Sequence, residues 1–458
     1  MNDIRRPSQI IMEEKKDFYK RVFILVLPMA LQNLINVGVT AADVVMLGRV
    51  GEKVLSGCSL GGQIFWVLSL FLFGATSGAS VLIAQYWGKK DLKSIEKVMG
   101  IVVLLTTGAG LLFMVVALLI PGKLMYLYTD DAEVIEQAVR YIRIVAFTYP
   151  ISAFTMGYLN MLKSVERVAI STLIYASSLF INIAANSLLI FGLFGLPVLG
   201  IRGAAVGTLI ARIVELFILM YYVKRFRPEV KVKWQNIIHL DPLLWKDFLY
   251  YASPVVLNEV LWGVGYSANT AIVGRLGSSV VAANSVAQMT RQLSMVVGFG
   301  IAAATAIMIG KAIGEGKKEL AEIYGRRFTI LGLMCGIGGA LVILILRPVI
   351  SWGMGFGGEA DGYLRLFLNM MAVYVIGQSL NSTWVVGIFR AGGDTRFGMI
   401  LDMSSMWFGS MLFGALAAFV FHLPVPIVYA ILLSDEMIKI LPCLWRYRKK
   451  KWLKDVTR

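Results

Sequence analysis

The chain has 458 residues, of which 58% are hydrophobic and only 16% charged, with a net charge of +16 and a mean hydropathy of +0.73. Soluble domains carry about 25% charged residues, so this balance excludes an ordinary soluble protein and points to a chain that lives in a bilayer. The positive charge then reads as retention of basic loops on one side and attraction to anionic headgroups, with no nucleic-acid partner needed.

A helix of about 20 apolar residues crosses a hydrocarbon core about 30 Å thick. Twelve such stretches are predicted, near 20–48, 56–87, 98–120, 135–161, 169–194, 201–223, 247–274, 280–310, 328–348, 362–388, 397–422 and 426–445. The ten-residue alternating strands of a transmembrane barrel are absent. Residues 1–21 are long, mixed in charge and without a cleavage site, so no secretory signal is expected before the first span.

The connections alternate in charge. One set holds Arg5, Arg6, Lys15, Lys16, Lys20 and Arg21, then Lys89, Lys90, Lys93 and Lys97, then Lys163 and Arg167, then Lys224, Arg225, Arg227, Lys231, Lys233 and Lys246. It continues with Lys311, Lys317, Lys318, Arg326 and Arg327, with Arg390 and Arg396, and with the tail from Arg446 to Arg458. The other set holds only Arg49, Lys53, Lys123, Arg202, Arg275 and Arg347. Lys and Arg stay on the cytoplasmic side, so both termini are expected there, in the plasma (inner) membrane.

The first half of the chain returns 226 positions later: Pro28 on Pro254, Leu31 on Leu257, Gly48-Arg49-x-Gly51 on Gly274-Arg275-x-Gly277, Phe73-Gly74 on Phe299-Gly300, Gly88 on Gly314. Six spans per half return the chain to its starting side, so the repeat keeps its orientation and the pseudo-symmetry axis runs along the membrane normal. The expected fold is therefore an all-α membrane protein of twelve transmembrane helices in two pseudo-symmetric six-helix bundles. Parallel repeats of this kind enclose a cleft and work by rocking. The expected divisions are a segment 1–19, a first bundle 20–223, a basic linker 224–246 containing Pro228 and Pro242, a second bundle 247–445 and a basic tail 446–458.

Specific stretches resemble the multidrug and toxic compound extrusion family: Asp43-Val44-Val45-Met46-Leu47-Gly48-Arg49, Ile83-Ala84-Gln85-Tyr86-Trp87-Gly88, their second copies at 270–277 and 309–316, Asn182 to Gly192, and Phe389-Arg390-Ala391-Gly392-Gly393-Asp394-Thr395. Their order, spacing and duplication carry the resemblance, from about residue 20 to 445. It implies an antiporter, and not an enzyme, that expels amphipathic and often cationic organic compounds in exchange for Na⁺ or H⁺. In the family, the residue matching Asp43 takes part in coupling in the first half, and the one matching Glu259 belongs to a Na⁺-associated site in the second. The family's second acid beside the span-one aspartate is here Asn186, and an acidic position near Leu380 is missing.

Carboxylates at membrane depth face the protein interior and mark ion pathways. Asp43 lies in the outer part of span one and Glu259 near the middle of span seven; their repeat mates are Asn269 and Asn33. Asn182 and Asn186 share a helix face, and with Asp43 they would suit one titrating acid or an oxygen site for Na⁺. Alternatively Asp43 pairs with Arg49, Glu259 with Arg291, and the asparagines only join helices. Asp402 either substitutes for the missing acid or caps its helix; Asp435 with Lys439 and Arg212 with Glu215 read first as structural pairs. Cavity candidates are Asn33, Tyr266, Asn269, Gln288, Arg291, Gln378, Asn381 and Asp402, with Met29, Trp66, Met156 and Met289 as adaptable wall.

Three scattered cysteines and two histidines indicate neither a disulfide framework nor a metal knuckle. No cofactor is expected beyond the coupling ion, possible Na⁺ sites being Asp43 or Glu259. The expected partners are organic small molecules and membrane lipid around a monomer. A flippase for lipid-linked oligosaccharides is the alternative; it would need a broadly cationic cavity, and Arg291 is the main intramembrane base available for one.

Overall fold

The computed structural model describes residues 7–195, 197–226 and 229–458, and the side chains from residue 16 onward save 234 and 238. Arg5, Arg6, Arg227 and Pro228, and the side chain of Lys15, lie outside what is described. The first six spans are α1 (Pro7–Val50), α2 (Glu52–Lys89), α3 (Leu92–Leu119), α4 (Ala132–Val145 and Thr148–Ser164), α5 (Val168–Phe191) and α6 (Ile201–Phe226). The second six are α7 (Pro242–Gly274), α8 (Ser278–Ser294 and Val296–Gly314), α9 (Lys318–Met354), α10 (Gly358–Asn381, continuing as a π-helix over Ser382–Phe389), α11 (Thr395–Met403, a π-helix over Ser404–Met411, then Leu412–Phe419) and α12 (Val425–Leu432 and Asp435–Arg448).

Nine of these are long and apolar enough to cross a bilayer by length and composition. The other three are α4 and α12, which are broken into short pieces, and α7, whose apolar run is interrupted by Asn258, Glu259 and Asn269. Helix α1 begins at Pro7, well before the predicted start near residue 20. Pro28 and Pro254 both sit inside their helices. Each lacks the N–H that would bond the carbonyl four residues earlier, and a side chain of a neighbouring helix bonds the backbone at the same place, Thr172 Oγ1 donating to the Pro28 carbonyl at 3.3 Å. The linker folds in part as a short helix, Trp234–Ile238, which packs on α3. Asp241 caps α7, accepting from Leu243 and Leu244 N–H, and takes Lys97 Nζ at 2.9 Å; that ammonium, with the backbone donors, holds its carboxyl below the usual range.

The lobes meet along α2 with α7 and α8, and along α1 with α8. Close approach is set by glycines. A Cβ added at Gly78 would lie 2.5 Å from the Ala252 Cα, and one at Gly314 would lie 1.9 Å from the Gln85 carbonyl oxygen. These contacts fall toward the ends of the helices that carry the basic loops, here the basic face. Nearer the middle of these helices, Gly263 of α7 faces Trp66 and Leu70 of α2. Beyond it Val44 and Val45 of α1 and Val281 and Met289 of α8 are exposed.

A strap of residues 449–458 closes over the basic face. Trp452 and Val456 are buried. Gln85, fully buried, donates to the Ala391 carbonyl at 2.8 Å and the Lys454 carbonyl at 3.1 Å, and its Oε1 accepts from the Val456 N–H at 2.8 Å. Asp394 accepts from Arg446 at 2.6 and 2.8 Å and from Lys454 at 3.1 Å, while Arg458 reaches Asp247 at 2.7 and 2.8 Å. The strap therefore ties α2 of one lobe to α7 and the α10–α11 turn of the other.

Because Gly314 has no room for a side chain, Gly314→Val is expected to force the lobes apart at the basic face. Spin labels at exposed Lys93 and Lys318 in a cysteine-free background would report a shift to longer distances. An unchanged distribution would show that this contact does not control closure.

Candidate functional site

In the first lobe Asp43 comes from α1, Asn182 and Asn186 from one face of α5, and Thr208 from α6. Asn186 Nδ2 donates to Asp43 Oδ1 at 2.8 Å and to Asn182 Oδ1 at 3.2 Å; Asn182 Nδ2 donates to Thr208 Oγ1 at 3.2 Å. The three residues grouped from the sequence are thus joined, and Thr208 completes the chain of bonds. Its place on α6, a helix turned back onto α5, gave no local signal. Asn186 Oδ1 is buried without a donor. Gly207 makes room for it, since a Cβ there would lie 2.1 Å away.

Asp43 is half-buried, and among the described residues no basic side chain pairs with it, Arg49 included. A carboxyl group in a span is normally paired with a base, bound to a cation or protonated. Here the protein supplies one amide donor, Asn186 Nδ2, on one oxygen and a spare amide oxygen nearby. The set can hold a proton on Asp43 or offer oxygens to a hard monovalent cation.

Glu259 of α7 is differently placed. Arg390 Nη2 donates to its Oε1 at 2.7 Å, and Arg390 Nη1 reaches Ser77 of α2 at 2.8 Å. The expected alternative of a Glu259–Arg291 pair is corrected: the partner is Arg390, assigned from sequence to a loop but buried in the structure. The carboxylate is neutralised within the protein, and the arginine joins α7, α10 and, across the lobes, α2.

A second-lobe cavity of about 50 Å³ gathers Tyr266, Asn269, Gln288, Arg291 and Gln378 from α7, α8 and α10 with Trp262, Tyr374, Met406, Met411 and Asp435. Arg291 Nε donates to Gln288 Oε1 at 2.8 Å and Nη1 to Gln378 Oε1 at 3.0 Å. Behind it lies a buried charge cluster: Lys439 contacts Glu436 at 2.9 Å, Asp402 at 3.2 Å and Asp435 at 3.5 Å. Asn258 Nδ2 donates to Asp402 at 3.2 Å, and Asn381 Nδ2 to Glu436 Oε2 at 2.8 Å and its carbonyl at 2.6 Å. The Asp435–Lys439 pair read from i, i+4 spacing is thus part of a larger set that includes Asp402. Arg212 and Glu215 pair at 2.6 Å.

The remaining wall candidates scatter. Met29 is buried in the core shared by α1, α8 and α9; Met156 packs into the first lobe's core; Trp66 faces Gly263; Asn33 is half-buried; Met289 is exposed. Of these, Trp66 and Met29 pack against the opposite lobe.

Two stability tests follow from this geometry. Gly207→Ala should displace Asn186 and destabilise by about 1–3 kcal/mol, whereas Gly62→Ala, with open space around it, should be neutral in the same melting assay. Glu259→Gln should cost about 3–5 kcal/mol by stranding Arg390, with the double variant Glu259→Gln/Arg390→Gln recovering part of the loss; equal losses in both would deny the pair its role.

The comparisons agree with this architecture. The MatE family model matches residues 28–188 and again 254–416, starting 226 residues apart, as the internal repeat does. The chain is 25% identical over 398 residues to the probable multidrug resistance protein NorM of Thermotoga maritima, spanning 86% of this chain and 84% of that protein. It is also 25% identical over 415 residues to the probable multidrug resistance protein YoeA of Bacillus subtilis, spanning 89% and 88%. A solved structure described as the outward-facing conformation of a multidrug resistance MATE family transporter superposes with a TM-score of 0.84 at 19% identity, over 94% of this chain and 95% of that one. With the family model covering both lobes, the chain belongs to the MatE family, that of the multidrug and toxic compound extrusion transporters.

Proposed function

We propose that the chain is a secondary antiporter that exports organic compounds by alternating access, in exchange for H⁺ or Na⁺ taken up at Asp43. The basic face is read as cytoplasmic on the positive-inside rule. On that reading the lobes, in contact from mid-depth to the basic face and sealed by the strap, are in a state open to the outside.

The observation that carries the proposal is the carboxylate of Asp43, which has one amide donor, Asn186, and no base beside it among the described residues. A small cation or proton arriving from outside neutralises it there. Its departure leaves an uncompensated charge in a low dielectric, which favours rearrangement of α1 against α5. A ligand shifts such an equilibrium only by its differential affinity for the two states, so organic cargo must prefer the state in which Asp43 is empty. Glu259, neutralised by Arg390 and linked through it to Ser77, serves in this scheme as a strut between lobes. NorM and YoeA are both described as probable multidrug resistance proteins, which supports organic compounds as the cargo.

The test is efflux of fluorescent organic compounds from proteoliposomes with an imposed Na⁺ or H⁺ gradient. Asp43→Asn, which keeps the shape and a hydrogen bond, is expected to lower gradient-driven efflux at least about tenfold without lowering the melting temperature, and the gradient that drives the wild type names the coupling ion. Full gradient-driven efflux by Asp43→Asn would overturn the assignment.

A further inference from the structure

Among the described residues, three bases are less than a tenth exposed: Arg390, Lys439 and Arg291. Arg390 has Glu259, and Lys439 has three carboxylates. Arg291 has none. Its Nε and Nη1 are held by the amide oxygens of Gln288 and Gln378, and Nη2 has no protein acceptor. Arginine is a cation, so this guanidinium places a positive charge with no carboxylate in direct contact on the wall of a cavity, whose other polar groups include Asp435. Two amides fix the orientation of the fork, and Nη2 is left without a protein acceptor.

We infer that the second-lobe cavity is a subsite for a single carboxylate borne by an aromatic compound, with Arg291 as its receptor. This deepens the efflux reading above and rests on it. Carboxylate geometry matches the guanidinium fork, and a charge-assisted bond in a site shielded from water is among the strong ones. The space of about 50 Å³ admits one functional group, far less than the ~300 Å³ or more of a pocket for a whole drug-sized molecule. The body of the ligand therefore extends past Trp262 and Tyr266, whose rings stack 5.8 Å apart at 20° and offer a flat face. Trp262 is 41% exposed and stands at the mouth. Asp435, on the same wall, opposes a multiply charged group such as a diphosphate and tolerates a monoanion or a zwitterion.

The experiment uses the full-length protein in nanodiscs and a matched pair of probes, naphthalene-2-acetate and naphthalene-2-acetamide, which differ in the charge of one group. Wild type is expected to bind the acid at least about tenfold more tightly than the amide, the discrimination of one charge-assisted pair. Arg291→Gln should bind the two alike, and Arg291→Lys should keep part of the preference; melting curves and size-exclusion profiles confirm that each variant is folded. Equal or no saturable binding of the acid by wild type, or a preference that survives Arg291→Gln, overturns the inference. Acid-selective binding without gradient-driven transport would leave the subsite standing and remove the efflux reading, whereas efflux of both probes alike would do the reverse.

Discussion

A charge inside a bilayer must find a partner, and the arrangement of this protein follows from how it meets that rule. The interior bases and acids are mostly matched within the chain: Arg390 with Glu259, Arg212 with Glu215, Lys439 with three carboxylates. Each match joins turns or helices that must be packed for it to exist, so the pairs specify the lobes more than they stabilise them. The Lys439 cluster holds more acid than base, and two further groups have no oppositely charged side chain in contact, Asp43 in one lobe and Arg291 in the other. They have opposite signs and each faces a place a solute can reach, which makes the two lobes chemically unlike despite their shared fold.

That unlikeness is written into the repeat. Asp43 corresponds to Asn269 and Glu259 to Asn33, so at these two positions an acid in one copy is an amide in the other. The second copy also carries π-helical stretches in α10 and α11, where α4 and α5 of the first show none. A π turn widens the helix locally and is common at functional positions. The one in α10 lies just before Arg390, and the one in α11 contributes Met406 and Met411 to the cavity wall.

Much of this was legible in the sequence because the signals are local or periodic. Hydropathy gave twelve spans, the 226-residue offset gave two lobes, and the i, i+4 spacing of Asn182 and Asn186 gave a shared face on which Asp43 was then found. Tyr266, Asn269, Gln288, Arg291 and Gln378 are polar groups in apolar runs, which is why they could be listed before being seen together. What could not be read depends on contacts between distant segments. Arg390 lies 131 residues from Glu259 and sits in a motif rich in glycine and charge that reads as a loop. Helices α4, α8 and α12 looked continuous because their breaks, at Ala146-Phe147, Met295 and Leu433-Ser434, carry neither proline nor glycine. The strap has the composition of a solvated tail, and nothing in its lysines announces that Trp452 and Val456 are buried.

The strap also decides where the slow step of a transport cycle can reside. Its Lys454 carbonyl and Val456 N–H hold Gln85, and its charges span both lobes, so opening toward the basic face would mean peeling a peptide out of its groove before any helix can tilt. On the alternating-access reading proposed above, turnover would be metered by a segment far from Asp43 and Arg291. Salt, or a protein that competes for those last basic residues, would act as a throttle on the pump without ever touching its cargo.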